Sequence, residues 1–416
     1  MKKKMVALVM AAVMEASLAG CAASNQTAST ADTANTADTA NTADTANTVD
    51  AAASGDTAAP ATDGDTIKLG LVSMITGDNP LNGERMNQGV QLAVNEVNAN
   101  GGVLGKQVEL TITDDQTLQD VAVTCVQKLA SEGVVGIIGP HRSTNAIAVS
   151  DTVKSLQVPL FTGGTSPKIA DLGNPYLFRG RASDSVFAEA AVDYAVNTLG
   201  CKTIGLFYNN DDFGTGALGV IQPWCEENGV TLVAEGHNTG DKDFTAQIMK
   251  MQSAGIDCAL SWTHDPELAI HARQIYELGL DCKVVSSPGI TMSQVLGMVE
   301  ADYVEGWYGV TDFVSTSTDE SVADFINAFK EAYGIEPELY AASYYGCAKI
   351  LLTAIENAGT TDREAVTKAI EEITDLTVPN GTATCDGQHD LIHNINVAEI
   401  HDLVPEFIES VSVAVE

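Results

Sequence analysis

The sequence predicts an α/β protein made of two doubly wound parallel-sheet lobes. Three observations carry that expectation. At 416 residues the chain is too long for one hydrophobic core. From Ile67 onward, short β-branched runs alternate with helical segments, the pattern of parallel strands joined by right-handed crossovers. The same order of elements then begins again at Thr203.

In the first half, Ile67 to Met74 reads as a buried strand. The loop Ile75–Gly83 follows it, then a helix from about Glu84 to Asn98. Asn100-Gly101-Gly102 stops that helix, because glycine adopts the left-handed cap conformation at little cost. A strand from Val108 to Thr113 and a helix from about Leu118 to Ser131 come next. Val134 to Ile138 is a β-branched run closed by Gly139-Pro140, which suits a strand covered on both faces. Ser143 and Thr144 stand where a helix begins, with Ala146, Val149 and Val153 as its apolar face. Val158 to Phe161 is a further strand, released into Thr162-Gly163-Gly164-Thr165-Ser166-Pro167.

The second half opens with the strand Thr203–Tyr208 and a helix through Cys225, with Gly229 as its stop. It continues with the strand Thr231–Ala234, a helix from about Phe244 to Ser253, and the strand Cys258–Trp262. A helix from about Pro266 to Leu278 and the strand Lys283–Ser286 complete the series. Tyr303–Phe313 reads as a strand leading back to the first lobe. Helices from about Ser321 to Tyr333, Leu339 to Asn357 and Asp362 to Ile373 precede a short β-rich tail.

The stretch Val134–Pro167 organises the rest. Two strand ends and one helix N-terminus converge there, the place where open α/β sheets bind small ligands. Free N–H groups at the helix start, with hydroxyls beside them, suit a small anion such as a carboxylate.

Composition excludes several classes of function. A formal net charge of -35 disfavours a nucleic-acid partner. No H-E-x-x-H, G-x-S-x-G or Walker A pattern is present, and nothing asks for catalysis or a cofactor. Gly214-Thr215-Gly216-Ala217-Leu218-Gly219 fits G-x-G-x-x-G, but five residues separate it from the preceding strand. Asp211 and Asp212 would also face a pyrophosphate, so the glycines read as a loop and helix start. His389 and His393, near Asp386 and Asp390, read as solvated surface histidines rather than a metal site. The eight cysteines form no C-x-x-C pair and read as buried small hydrophobes. A disulfide, Cys258 with Cys282 for example, stays open.

The N-terminus carries a different signal. Lys2-Lys3-Lys4, a short apolar run from Met5 to Met14 and Leu18-Ala19-Gly20-Cys21 resemble the signal peptide and lipobox of bacterial lipoproteins. That resemblance implies cleavage before Cys21 and a lipid on its sulfur, hence an exported, membrane-anchored protein. From Thr30 to Asn47 the hexapeptide TADTAN repeats in tandem, and residues 21–65 read as a disordered acidic tether. A tether of that length points to a single-membrane, Gram-positive bacterium.

Several stretches together resemble the type I periplasmic binding fold, in its leucine/isoleucine/valine-binding branch. They are ITGDNPLNGERMNQGVQLAVNEVNANGGVLGKQVEL, VVGIIGPHRSTNA, SLQVPLFTGGTSP, YNNDDFGTGA, DKDFTAQI and VPNGTATCDGQHD. The resemblance implies a receptor for an amino-acid ABC importer, with permease subunits as partners and a monomeric state. It implies two lobes joined by a three-stranded hinge, 66–181 plus 314–380 and 182–313 plus 381–416, closing on a ligand. It assigns the ligand carboxylate to Ser143 and Thr165, with Thr144 beside them. The ammonium goes to the Gly163-Gly164 carbonyls and the Thr165 hydroxyl, and an aromatic lid to Phe213.

Two departures bear on the ligand. Where the branch has a glutamate for the ammonium, this chain has Ser286-Ser287-Pro288-Gly289, and an aromatic expected near Leu81-Asn82 is missing. Either Asp265, next to Trp262-Thr263-His264, takes the ammonium, or the ligand is an amide or other molecule without a free amine. Asp211 and Asp212 are further candidates for that role. A sensory receptor on the same fold is the other function the resemblance allows.

Overall fold

The computed structural model describes residues 66–411 apart from 318, 320 and 321; Cys21, the signal segment and the tether lie outside the described residues. The first sheet has five parallel strands in the order β2-β1-β3-β4-β5. These are β1 (Thr66–Ser73), β2 (Gln107–Asp114), β3 (Gly136–Ile138), β4 (Leu160–Thr162) and β5 (Leu177–Arg179). Helices α1 (Pro80–Ala99), α2 (Gln119–Ser131) and α3 (Ser143–Leu156) are its crossovers. Five residues of the β1 run, Leu69 to Ser73, are buried together, as expected of a parallel sheet covered on both faces.

The helix α4 (Asp184–Asp193) leads into the second lobe. There β6 (Thr203–Asn209), α5 (Asp212–Glu227), β7 (Thr231–His237), α6 (Thr245–Ala254), β8 (Cys258–Trp262), α7 (Asp265–Glu277) and β9 (Lys283–Ser286) repeat the pattern. Two single-turn helices, α8 (Ser293–Leu296) and α9 (Ala301–Val304), precede β10 (Tyr308–Thr311). The stretch expected as one strand from Tyr303 is thus split, because Gly306 turns the chain with φ +73° before Trp307 buries.

The chain then returns to the first lobe as α10 (Ala323–Tyr333), α11 (Leu339–Ala358) and α12 (Arg363–Glu371). The ribbon β11 (Leu376–Val378) with β12 (Gly381–Ala383) follows. Finally β13 (Ile395–His401) and β14 (Val404–Val411) add an antiparallel edge to the second sheet, whose order is β14-β13-β10-β9-β8-β6-β7.

One boundary moves. The final return to the second lobe comes after Ile392 rather than at Gly381. Val378, Ala383, Leu391 and Ile392 all bury in the first lobe's core with Leu69, Phe161 and Ile350, and their apolar area would be exposed on the other side of the hinge.

Three crossings therefore join the lobes, near Gly180, Phe313 and Asn394, and one polar cluster ties the first two to the first lobe. Arg181 donates from Nε and Nη2 to the two Asp312 oxygens at 3.2 and 3.1 Å. Asp312 also accepts from Ser343 on α11 at 3.3 Å and from Asn380 at 3.4 Å. Asn380 reaches across to the Gly180 carbonyl at 3.1 Å. Burial alone would lower the Arg181 pKa, but the Asp312 carboxylate outweighs it and holds the guanidinium charged.

Removing one partner would strand the other charge in the interior. Arg181→Met is expected to cost about 3–5 kcal/mol of folding stability, measured by urea unfolding. A loss below about 1 kcal/mol, the size of a surface pair, would show that the hinge does not depend on it.

Candidate functional site

The cleft between the lobes narrows to a cavity of about 50 Å³. Its first-lobe wall comes from strand ends and one helix start: Asn79 before α1, His141, Arg142 and Ser143 at the entry to α3, and Gly163 and Thr165 after β4. Its second-lobe wall is Phe213 on α5, Thr263 to Asp265 between β8 and α7, and Ser287 to Gly289 after β9. Arg181 of the hinge and Tyr340 of α11 complete it.

The first wall presents donors. Arg142, the residue before α3, gives the helix no side-chain cap. Ser143 Oγ accepts from the Thr165 and Ser166 backbone N–H groups, both at 3.2 Å. A hydroxyl has two lone pairs and one proton, so with both lone pairs used its proton is free for an acceptor in the cleft. Gly163 is a close approach, where a Cβ would stand 2.2 Å from the Tyr344 hydroxyl. Arg142 is held by Asp78 through Nη2 at 2.6 Å.

Thr165 behaves differently from Ser143. Its hydroxyl donates to Asp184 Oδ2 at 2.9 Å, which leaves lone pairs rather than a proton for a ligand. That arrangement accepts from an ammonium group. The loop is fixed from behind by Arg179, which donates to the Thr165 and Ser166 carbonyls at 3.1 and 3.2 Å. Arg179 also pairs with Asp390. Burial pushes the Asp184 carboxyl up to about 7, despite the Thr165 hydroxyl and Arg179.

The second wall supplies the acid. Asp265 is the first residue of α7 and is 5% exposed. Gly289 makes room for it, since a Cβ there would lie 2.7 Å from Asp265 Oδ1. Burial raises its pKa to about 6, against the hydrogen bond it accepts from Asn82 across the cleft. The other acids are occupied elsewhere. Asp211 caps α5 through the Phe213 and Gly214 N–H groups at 3.1 Å and accepts from His264 Nε2 at 2.6 Å. Burial pushes Asp211 up, but the His264 bond outweighs it and holds it near 2. Asp212 meets Lys168 at the rim at 3.0 Å.

The two cleft histidines are kept neutral. Burial, then the Arg181 charge, hold His141 well below its usual range. Burial, then Arg142, lower His264. Phe213 stacks on the His264 ring with centroids 5.0 Å apart.

Of the residues singled out in the sequence, Ser143, Gly163, Thr165, Phe213, His264, Asp265 and Ser287 line the cavity. Three do not line it. Thr144 lies on the first turn of α3. Gly164 packs under Ser143, where a Cβ would come within 2.9 Å of the Ser143 Cα. Trp262 is fully buried behind Phe213, with ring centroids 6.3 Å apart. Sequence reasoning missed Asn79, Asn82, Arg142, Asp184 and Tyr340. Asn79-Pro80 carries a usable signal, a polar residue before proline at the first helical position; Tyr340, far along the chain in a long apolar helix, has none.

The other sequence features take structural places. Gly214 packs on the end of β6, where a Cβ would lie 2.2 Å from the Asn209 carbonyl oxygen. Gly216 faces the first lobe, 2.7 Å from Ser166 Oγ by the same measure. His389 stacks on Phe178 at 4.5 Å, so it is packed at the hinge side rather than freely solvated. Among the described residues the seven cysteines are free thiols, five of them buried.

A two-lobed protein with a buried polar cavity at the seam is built to enclose a small solute. Residues 66–402 match the family model described as periplasmic binding protein, and the chain belongs to that family. Among curated relatives, the leucine-, isoleucine-, valine-, threonine- and alanine-binding protein of Pseudomonas aeruginosa is 28% identical, over 79% of this chain and 87% of its own length. Among solved structures, a leucine binding protein of Thermotoga maritima superposes with TM-score 0.78 at 24% identity, covering 83% of this chain and 99% of that one. A solute binding protein of Rhodopseudomonas palustris in complex with 3,4-dihydroxybenzoic acid gives 0.76 at 20% identity, covering 84% and 98%. The chain is a solute-binding protein and not an enzyme.

The Asp184 shift has a stability consequence. A carboxyl with a folded pKa near 7 and an ordinary unfolded one binds its proton only when folded between those values. Its contribution is full at acid pH and is lost as pH rises toward 7. Urea unfolding of wild type and Asp184→Asn from pH 4.5 to 7 is expected to show wild type losing ground at about 1.4 kcal/mol per pH unit. A difference that stays flat with pH would mean that Asp184 is not shifted.

Proposed function

We propose that the chain is the lipid-anchored, extracytoplasmic receptor of an ABC importer, holding an amino acid between its lobes as they close. The observation that carries this reading is the opposition of two chemistries across one small cavity. The Ser143 hydroxyl proton and the start of α3 stand on one wall, and the buried carboxylate of Asp265 on the other. An α-carboxylate suits the first and an ammonium the second, with the Thr165 lone pairs as a further acceptor. The relative from Pseudomonas aeruginosa is named for five amino acids. Cys21 would carry the lipid and the tether would hold the lobes clear of the membrane, with the permease subunits as partners of a monomer.

Ligand bridging both walls favours the closed arrangement by its differential affinity for it. Contacts already spanning the cleft, Asn82 to Asp265 and Lys168 to Asp212 and Thr215, are ready to cooperate. The same Asn82 bond favours a second reading, a small carboxylate without an amine, since it satisfies Asp265 without an ammonium. The Rhodopseudomonas palustris protein was solved with such an acid.

Calorimetry with amino acids and their deaminated analogues separates the two. Ser143→Ala and Thr165→Ala are each expected to weaken amino-acid binding about tenfold, the worth of a hydrogen bond to a charged group, with circular dichroism unchanged. Unchanged affinity in both variants would remove the assignment.

The second test uses pH. With Asp265 titrating near 6, wild-type affinity for an amino acid should fall as pH drops below 6, where the acid is neutral. Asp265→Asn should bind weakly at every pH and lose amino acids more than deaminated analogues. Equal losses for both ligand classes would argue against an ammonium at Asp265.

A further inference from the structure

The cleft is more polar than an aliphatic ligand needs. Three buried atoms on its lining residues have no hydrogen-bond partner: Asn79 Oδ1 and Arg142 Nε from the first lobe, and Thr263 Oγ1 from the second. Asn79 is 4% exposed and Thr263 2%, so bulk water does not serve them. Their chemistry is complementary. An amide oxygen accepts, a guanidinium N–H donates, and a hydroxyl does both.

A ligand group that both donates and accepts would satisfy this set. A branched hydrocarbon placed there would leave buried polar atoms unpaired, which is more costly than never having them.

Resting on the reading of the cleft as an amino-acid site, we propose that its ligand is a short α-amino acid with a hydroxyl or carboxamide side chain. Branched aliphatic amino acids are disfavoured. Ser143 and the α3 start take the carboxylate, Asp265 and Thr165 the ammonium, and Asn79, Arg142 and Thr263 the side chain. Both lobes contribute to that last set, so the side chain is recognised only when the cleft closes.

Isothermal titration of the full chain with L-serine, L-threonine, L-asparagine, L-leucine and L-valine tests this. At least one of the first three is expected to bind ten or more times tighter than either aliphatic. Thr263→Val and Asn79→Leu, each checked for folding by circular dichroism, should cut that preference about tenfold. If either variant fails to fold, the wild-type preference still decides. Leucine or valine binding as tightly as every polar amino acid overturns the inference and leaves the amino-acid cleft standing. Binding of benzoate with none of the five overturns that reading, and this inference with it.

Discussion

The ion pair between Arg181 and Asp312 is the constraint on which the two-lobed arrangement depends. It joins the first crossing to the second, and Asn380, between β11 and β12, ties the first lobe to the same carboxylate. A hinge made only of apolar contacts would slide, because such contacts are non-directional. Directional bonds fix the crossings in register, so the lobes turn about a defined line. Arg181 also lies against the Tyr340 ring, 5.2 Å from its centroid. The hinge and the floor of the cleft are therefore one packed unit.

From that fixed line the site follows. Parallel sheets send their strand ends to one edge, and the two sheets place those edges face to face. Backbone turns after β3, β4, β8 and β9 supply the groups, and helices α3 and α7 begin at the seam. The acids are sorted by environment more than by identity. Asp211, capping a helix and bonded to His264, is held near 2, while Asp265, buried with one amide for company, is held near 6. Of these two, the acid that titrates nearer physiological pH is thus the one facing the cavity.

Much of this was legible in the sequence. The strands Cys258–Trp262 and Lys283–Ser286 fall where the β-branched and apolar runs put them, and the helix entry at Ser143 was readable from its hydroxyls. Local pattern could not reveal β5, three residues long in Leu177–Arg179, or α4, whose alanine-rich face has little periodicity. Asp184 was hidden for the same reason. It gains meaning only when folding brings it under Thr165, 19 residues earlier. Tyr340 and Asn82 are similar cases, contributed by helices whose positions at the seam depend on the hinge. The pairing of Asp211 with His264, 53 residues apart, likewise could not be read from spacing, and it is what leaves Asp265 as the acid facing the cavity.

The bare backbone of α5 at Gly216 lets the two lobes approach closely. There a helix with no side chain meets the Ser166 and Pro167 side chains of the opposite lobe, so the close approach at that point depends on the missing Cβ. Even a methyl group at that point would act as a spacer. It would bias the lobes apart without touching any ligand contact, lowering apparent affinity for every solute by the same fraction. Affinity and selectivity are in this way written into different parts of the molecule, and each can change without disturbing the other.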